Sequence, residues 1–151
     1  QAGARDISFV NCTSYGNGSD GFFASDSAIY QNCIAEGNSG YGWDTNGTPV
    51  DYTILRNCAG YNNTSGNLNF TGTAPTYTFN DGFITGTASF FTNAAGGDFS
   101  LNNTAGGGAL CRAAGFPGTL PYGGRSYLDV GALQHVCTFL LGLIFKNRLW
   151  T

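Results

Sequence analysis

A chain of 151 residues with only 10% charged residues, 24 glycines, 12 phenylalanines and 8 tyrosines is long enough for about one domain and too aromatic for a charge-driven disordered segment. Its formal net charge is -3, and Arg5, Arg56, Arg112, Arg125, Lys146 and Arg148 are scattered, so no basic stripe exists for nucleic-acid phosphates. Methionine is absent, so residue 1 reads as a processing point or a cut through a longer protein, with any secretion signal upstream.

The first predicted unit surrounds "FVNCTSYGNG", residues 9 to 18. Ile7 and Phe9 share one strand parity while Cys12 and Ser14 share the other, and a corner between Phe9 and Cys12 lets both pairs face one interior. Asn11 stands at that corner, being one of the few residues besides glycine that enters the left-handed region readily. A polar turn follows, with Asn17 as a turn residue. A third short strand then points Phe22 and Ala24 inward.

The unit recurs. Ala28 and Tyr30, corner Asn32, Cys33 and Ala35, turn residue Asn38, then Trp43 and Thr45 make the second; Thr53 and Leu55, Asn57, Cys58 and Gly60, Asn63, then Leu68 and Phe70 make the third. The cysteine spacings are about 21 and 25 residues, a solenoid-like period. Insertions at 45–51 and 71–76 lengthen the same turn. A degraded fourth unit has Tyr77 and Phe79 before the corner, Asp81 at it and Gly82 in place of cysteine.

Cys12, Cys33 and Cys58 read as small buried fillers. Strands stack about 4.8 Å apart, within reach of a disulfide, yet parallel side chains give poor bridge geometry. A straight column of thiols also suits tetrahedral zinc badly.

These units resemble the right-handed parallel β-helix repeat proteins, the group of pectate-lyase-like enzymes, viral tail spikes and bacterial surface proteins. The resemblance covers roughly residues 5–101 and implies an all-β, right-handed parallel β-helix of about four to five coils. The segment "SFFTNAAGGDFSLNNTAGGGALCRAAG" and the later "YLDVGALQH" are similar to the closing segment of surface proteins of the choice-of-anchor Q kind. The matching residues are Gly97, Asp98, Phe99, Leu101, Ala113, Ala114, Gly115, Asp129, Val130, Gly131 and Ala132, while "GALCR" (108–112) departs from the family pattern. The expected division is coils in 1–101, a C-terminal cap in 102–135, needed because an open last layer leaves unpaired edges, and an atypical apolar tail in 136–151. The run Phe139 to Phe145 is far short of the roughly 20 residues that span a membrane, and the tail reads as a translation artefact or an unspecific appendage.

In pectate-lyase-like proteins the substrate lies on the outer face of one stacked strand, which here implies an outward row of Phe23, Asp44 and Asn69, flanked by Gly21, Gly42 and Asn67. A ring face on Phe with hydroxyls on Asp and Asn suits a sugar; the alternative is an ordinary solvated sheet face. Asp20 and Asp44 are weak candidates for the carboxyl pair of glycoside hydrolysis, with Asp26 and Asp51 nearby, although Asp in such turns is expected anyway. His135 is too isolated for a triad. No cofactor is implied; calcium on clustered Asp and Asn is the one metal such turns allow, without any D-x-D-x-D spacing. Asn11, Asn17, Asn46, Asn62, Asn63, Asn69 and Asn102 satisfy the N-glycosylation pattern, which chance supplies in so Asn-rich a chain. The expected function is a non-catalytic structural or adhesive segment of a secreted, cell-surface or virion protein that contacts polysaccharide; the alternative is a fragment of a polysaccharide lyase or glycoside hydrolase. No membrane span is expected, and the oligomeric state stays open.

Overall fold

The computed structural model describes residues 7–23, 27–45, 52–70, 77–116 and 129–131. Ala24, Asp26, Asn46, Asp51, His135 and the tail 136–151 with Cys137 lie outside the described residues. Three successive units each contribute three short strands: β1 (Ile7–Val10), β2 (Thr13–Tyr15) and β3 (Phe22–Phe23); β4 (Ala28–Gln31), β5 (Ile34–Glu36) and β6 (Tyr41–Asp44); β7 (Tyr52–Arg56), β8 (Ala59–Tyr61) and β9 (Gly66–Asn69). A fourth unit adds β10 (Tyr77–Asp81) and β11 (Ile84–Thr85).

The strands sort by rank within their unit. The first sheet runs β1-β4-β7-β10, the second β2-β5-β8-β11 and the third β3-β6-β9. Every pairing among them is parallel. The molecule is thus all-β and mostly parallel, compatible with a β-helix-like solenoid, and each unit forms one layer on the next.

The parity switch read from sequence is present. Asn11, Asn32 and Asn57 take φ of 52°, 54° and 48°, so the chain turns between the first and second strand and both send apolar side chains to one interior. There Phe9 stacks on Tyr30 with ring centroids 5.0 Å apart, and Phe22 on Trp43 at 5.3 Å. Register places Phe22 on Trp43 and Trp43 on Leu68. Trp43 and Tyr30 are fully buried, each worth on the order of 3 kcal/mol of apolar burial.

The fourth unit sits one residue away from its expected alignment. Asp81 pairs with Arg56 inside the sheet, and the corner is Gly82, with φ of 66°. Phe83, not Gly82, therefore takes the cysteine position, and its ring meets Trp43 at 5.5 Å. Glycine supplies the positive φ at no steric cost, which aspartate does less well. Tyr77 and Phe79 consequently pair with Tyr52 and Ile54, not with the inward Thr53 and Leu55.

Among the described residues beyond β11 no further parallel layer is added. β12 (Phe91–Asn93) and β13 (Asp98–Leu101) pair antiparallel, and a short helix, α1 (Gly108–Cys111), follows. This segment runs back over the outer face of the second sheet. Phe90, Phe91, Leu101, Cys111 and Val130 bury Ile34 and Ala59, with Tyr15, Tyr61 and Ile84 at the margins, so it touches all four layers. Most outward positions of the second sheet, Tyr15, Ile34, Ala59, Tyr61 and Ile84, are apolar and require this cover. Within the stretch expected as a cap, 102–135, Cys111 and Val130 lie along this flank.

Candidate functional site

Asn17, Asn38 and Asn63, read from sequence as turn residues, form a hydrogen-bonded column, with Asn38 and Asn63 buried in the interior. Asn17 Nδ2 donates to Asn38 Oδ1 at 2.9 Å, and Asn38 Nδ2 to Asn63 Oδ1 at 2.8 Å. The backbone N–H groups of Asn17 and Asn38 donate to the same oxygens. Two of the three amides also reach back one layer, Asn38 to the Ser14 carbonyl and Asn63 to the Ala35 carbonyl. Buried amides are costly unless paired, and this ladder pairs them along the stacking direction.

Two glycines make room for it. A Cβ on Gly21 would lie 2.8 Å from Asn38 Nδ2, and one on Gly42 2.9 Å from Asn63 Nδ2. In the third layer Asn67 occupies that slot, and its Oδ1 accepts from Asn63 Nδ2 at 2.9 Å. The side chain of Asn67 fits because Gly60 opposite it has none. Sequence carried a signal for this ladder: Asn five residues after each cysteine, with Gly, Gly and then Asn nine residues after.

The corner asparagines have a second role. Asn32 accepts from Phe116 N–H at 2.6 Å and donates to the Phe116 carbonyl at 2.7 Å. Asn57 Nδ2 donates to the Ala114 carbonyl at 2.7 Å, and Gly131 N–H donates to the Asn32 carbonyl. Arg56 lies over the Phe116 ring, 5.6 Å from its centroid. In the first layer Asn11 keeps the corner geometry, but its buried Oδ1 has no partner.

Glu36 clasps the returning segment from the second sheet. Its carboxylate accepts from Ser89 Oγ at 2.6 Å and from Phe90 N–H at 2.9 Å. Burial raises its carboxyl above the usual range, partly offset by these bonds. Nearby, burial pushes the Cys111 thiol up to about 12, with Asp129 and Glu36 adding to the effect. Asp129 itself accepts from Ala113 N–H.

Cys12, Cys33 and Cys58 are free thiols stacked in the core. The Cys33 thiol is pushed up by its contact with Cys58 and by burial, and Cys12 chiefly by burial. Cys12 and Cys33 fill space as protonated groups, while the contact with Cys33 pulls the buried Cys58 thiol the other way, below its usual value.

Register brings Phe23, Asp44 and Asn69 side by side on the third sheet. Phe23 is 53% exposed, whereas Asp44 is only 6% exposed. Asn69 Nδ2 donates to Asp44 Oδ1 at 2.9 Å. Asp20 sits in the turn before β3, where its Oδ1 accepts from Tyr41 N–H at 2.7 Å. Tyr41 precedes Asp44 by three residues, so Asp20 and Asp44 are offset by roughly 10 Å along the strand direction. Gly21 and Gly42, expected to flank a ligand row, are ladder clearances. A groove of about 790 Å³ opens beside the first layer, lined by Thr13, Ser14, Tyr15, Asn17, Gly21, Phe22, Gly97 and Phe99. Among the described residues no three His, Cys, Asp or Glu come together to hold a metal, and no helix is long and apolar enough to cross a membrane.

Compared with known proteins, the chain matches no family model, no curated protein and no solved structure.

Proposed function

We propose that the chain is a stretch of right-handed parallel β-helix that serves, without catalysis, as a rigid stalk or adhesive of a larger secreted, cell-surface or virion protein, and that it meets polysaccharide at Phe23 and Asn69. Right-handedness is supported by the general preference of parallel strand connections for that hand. Rigidity is supported by the amide ladder, which adds side-chain bonds between the first, second and third layers.

The observation that carries the glycan reading is Phe23, a large ring exposed on a sheet face in one row with Asn69, two strands on, whose amide donates to Asp44. A sugar ring packs its C–H face on an aromatic, and the Asn69 amide pairs with hydroxyls. Asp44 acts on this row through Asn69, being itself buried.

The competing class is a fragment of a polysaccharide lyase or glycoside hydrolase. Both candidate carboxylates already hold protein groups, Asp20 a backbone N–H and Asp44 an amide, which favours the binding reading. A glycan array probed with the chain tests it. Retention of polysaccharide is expected, falling at least tenfold in Phe23→Ala and less in Asp44→Ala. No retention on any glycan, or retention indifferent to both substitutions, retires the proposal.

A further inference from the structure

The amide ladder has a direction and its two ends differ. Each Oδ1 accepts from the layer before it, and the donor end is closed by Asn67, which takes the last Nδ2. At the other end Asn17 donates to Ser14 Oγ and Asn38, but its own Oδ1 accepts no hydrogen bond from the described residues. Asn17 is exposed there. The same end presents β1, β2 and β3 together as the outermost strands of their sheets. It also leaves core positions uncovered: Ile7 is 37% exposed, and Phe9 and Cys12 are half-buried where Tyr30 and Cys33 one layer on are closed. Gly97 and Phe99 of the returning segment rise beside Asn17 and Phe22 as one wall of the groove.

We propose that this open face docks a further parallel layer of the same repeat, selected by an asparagine at the ladder position. The interface would continue the one between the layers already stacked. The incoming asparagine would donate its N–H and Nδ2 to Asn17 Oδ1, as Asn17 does to Asn38. Its main chain would pair with the three outermost strands, removing an edge that unpaired strands otherwise expose to aggregation.

The far end of a second copy does not supply this layer. Five residues after Phe83 stands Ala88, which has no amide to give, and the N–H groups of Thr87 and Ala88 are held by the Gly106 carbonyl. The occupant is therefore an asparagine-bearing repeat, and not this chain stacked head to tail. The inference rests on the layered reading and is independent of glycan binding, so the array and the following experiment fail separately.

A synthetic peptide copying residues 28–45 is added to the full chain, beside the same peptide carrying Asn38→Ala. The readout is hydrogen exchange at Val10 and Tyr15. The next N–H groups, of Asn11 and Gly16, point into the stack at Gln31 and Glu36, so by strand alternation those of Val10 and Tyr15 face the open edge. The parent peptide is expected to slow both amides at least tenfold at saturation, and the Asn38→Ala peptide to bind about tenfold more weakly for its lost amide. Equal protection by the two peptides, or none by either at millimolar concentration, overturns the proposal. So does protection that grows with chain concentration alone, which would make a second copy the occupant.

Discussion

The two asparagine columns share residue type and period, and they bind the molecule in different directions. Asn17, Asn38 and Asn63 point inward and tie layer to layer through their own amides. Asn11, Asn32 and Asn57 turn the chain at positive φ, and in two layers their amides point outward to hold residues 114–116 against the stack. One column makes the stack cohere and the other fastens a flank to it. Substitutions should separate the two.

The largest effect belongs to the inner column. Asn38→Ala leaves the buried Asn63 oxygen with only the backbone N–H of residue 38 as donor and strips the acceptor shared by two Asn17 donors, a loss of about 3 kcal/mol. Urea denaturation of the whole chain should show it as a lowered midpoint with an unchanged slope. A loss confined to the first layer, with the other layers unaffected, would break the comparison.

The corner column should respond in two parts. Asn32→Gly keeps the left-handed turn but removes the amide, so it should release residues 114–116, seen as faster exchange at Phe116 N–H, with the stack intact. Asn32→Ala should cost about 1–2 kcal/mol more, because an L side chain is strained at that φ. Asn11→Gly, whose oxygen holds nothing, should be nearly neutral in the same assays.

A smaller, pH-dependent effect sharpens the flank side. Burial holds the Glu36 carboxyl above its ordinary value, so the folded chain binds that proton more tightly than the unfolded one. Its stabilisation is fully present below the unfolded value and is lost as pH rises through the folded value. Glu36→Gln keeps an acceptor for Phe90 N–H and removes the titration. The stability difference between the two chains should therefore shift in favour of Glu36→Gln as pH rises through the carboxylate range, and a flat difference contradicts the buried clasp.

The repeat made much of this legible. The parity change across Asn11 and Cys12 located the corner, and the matched spacing gave the register of Phe22, Trp43 and Leu68. Asn17, Asn38 and Asn63 were located but misjudged, because asparagine serves equally in a polar turn and as an internal amide. Only the glycines at 21 and 42 distinguish the cases, by the room they leave. The fourth layer is offset by one residue because its corner is Gly82, while Asp81, one position earlier, mimics an Asn corner in sequence. The returning flank was not readable as such, since its contacts join residues as far apart as Asn32 and Phe116 and follow no period. Of the site, Phe23 and Asn69 were placed by alternation, while the burial of Asp44 depends on three-dimensional surroundings that no spacing encodes.

The most direct test of the layered account is the exchange rate of the Asn38 side-chain NH₂ in the intact chain. Held between the Ser14 carbonyl and Asn63 Oδ1 in a buried site, it should exchange at least a hundredfold more slowly than the side-chain amide of exposed Asn62. An Asn38 NH₂ that exchanges as fast as Asn62 would contradict the ladder and with it the account of how the layers cohere.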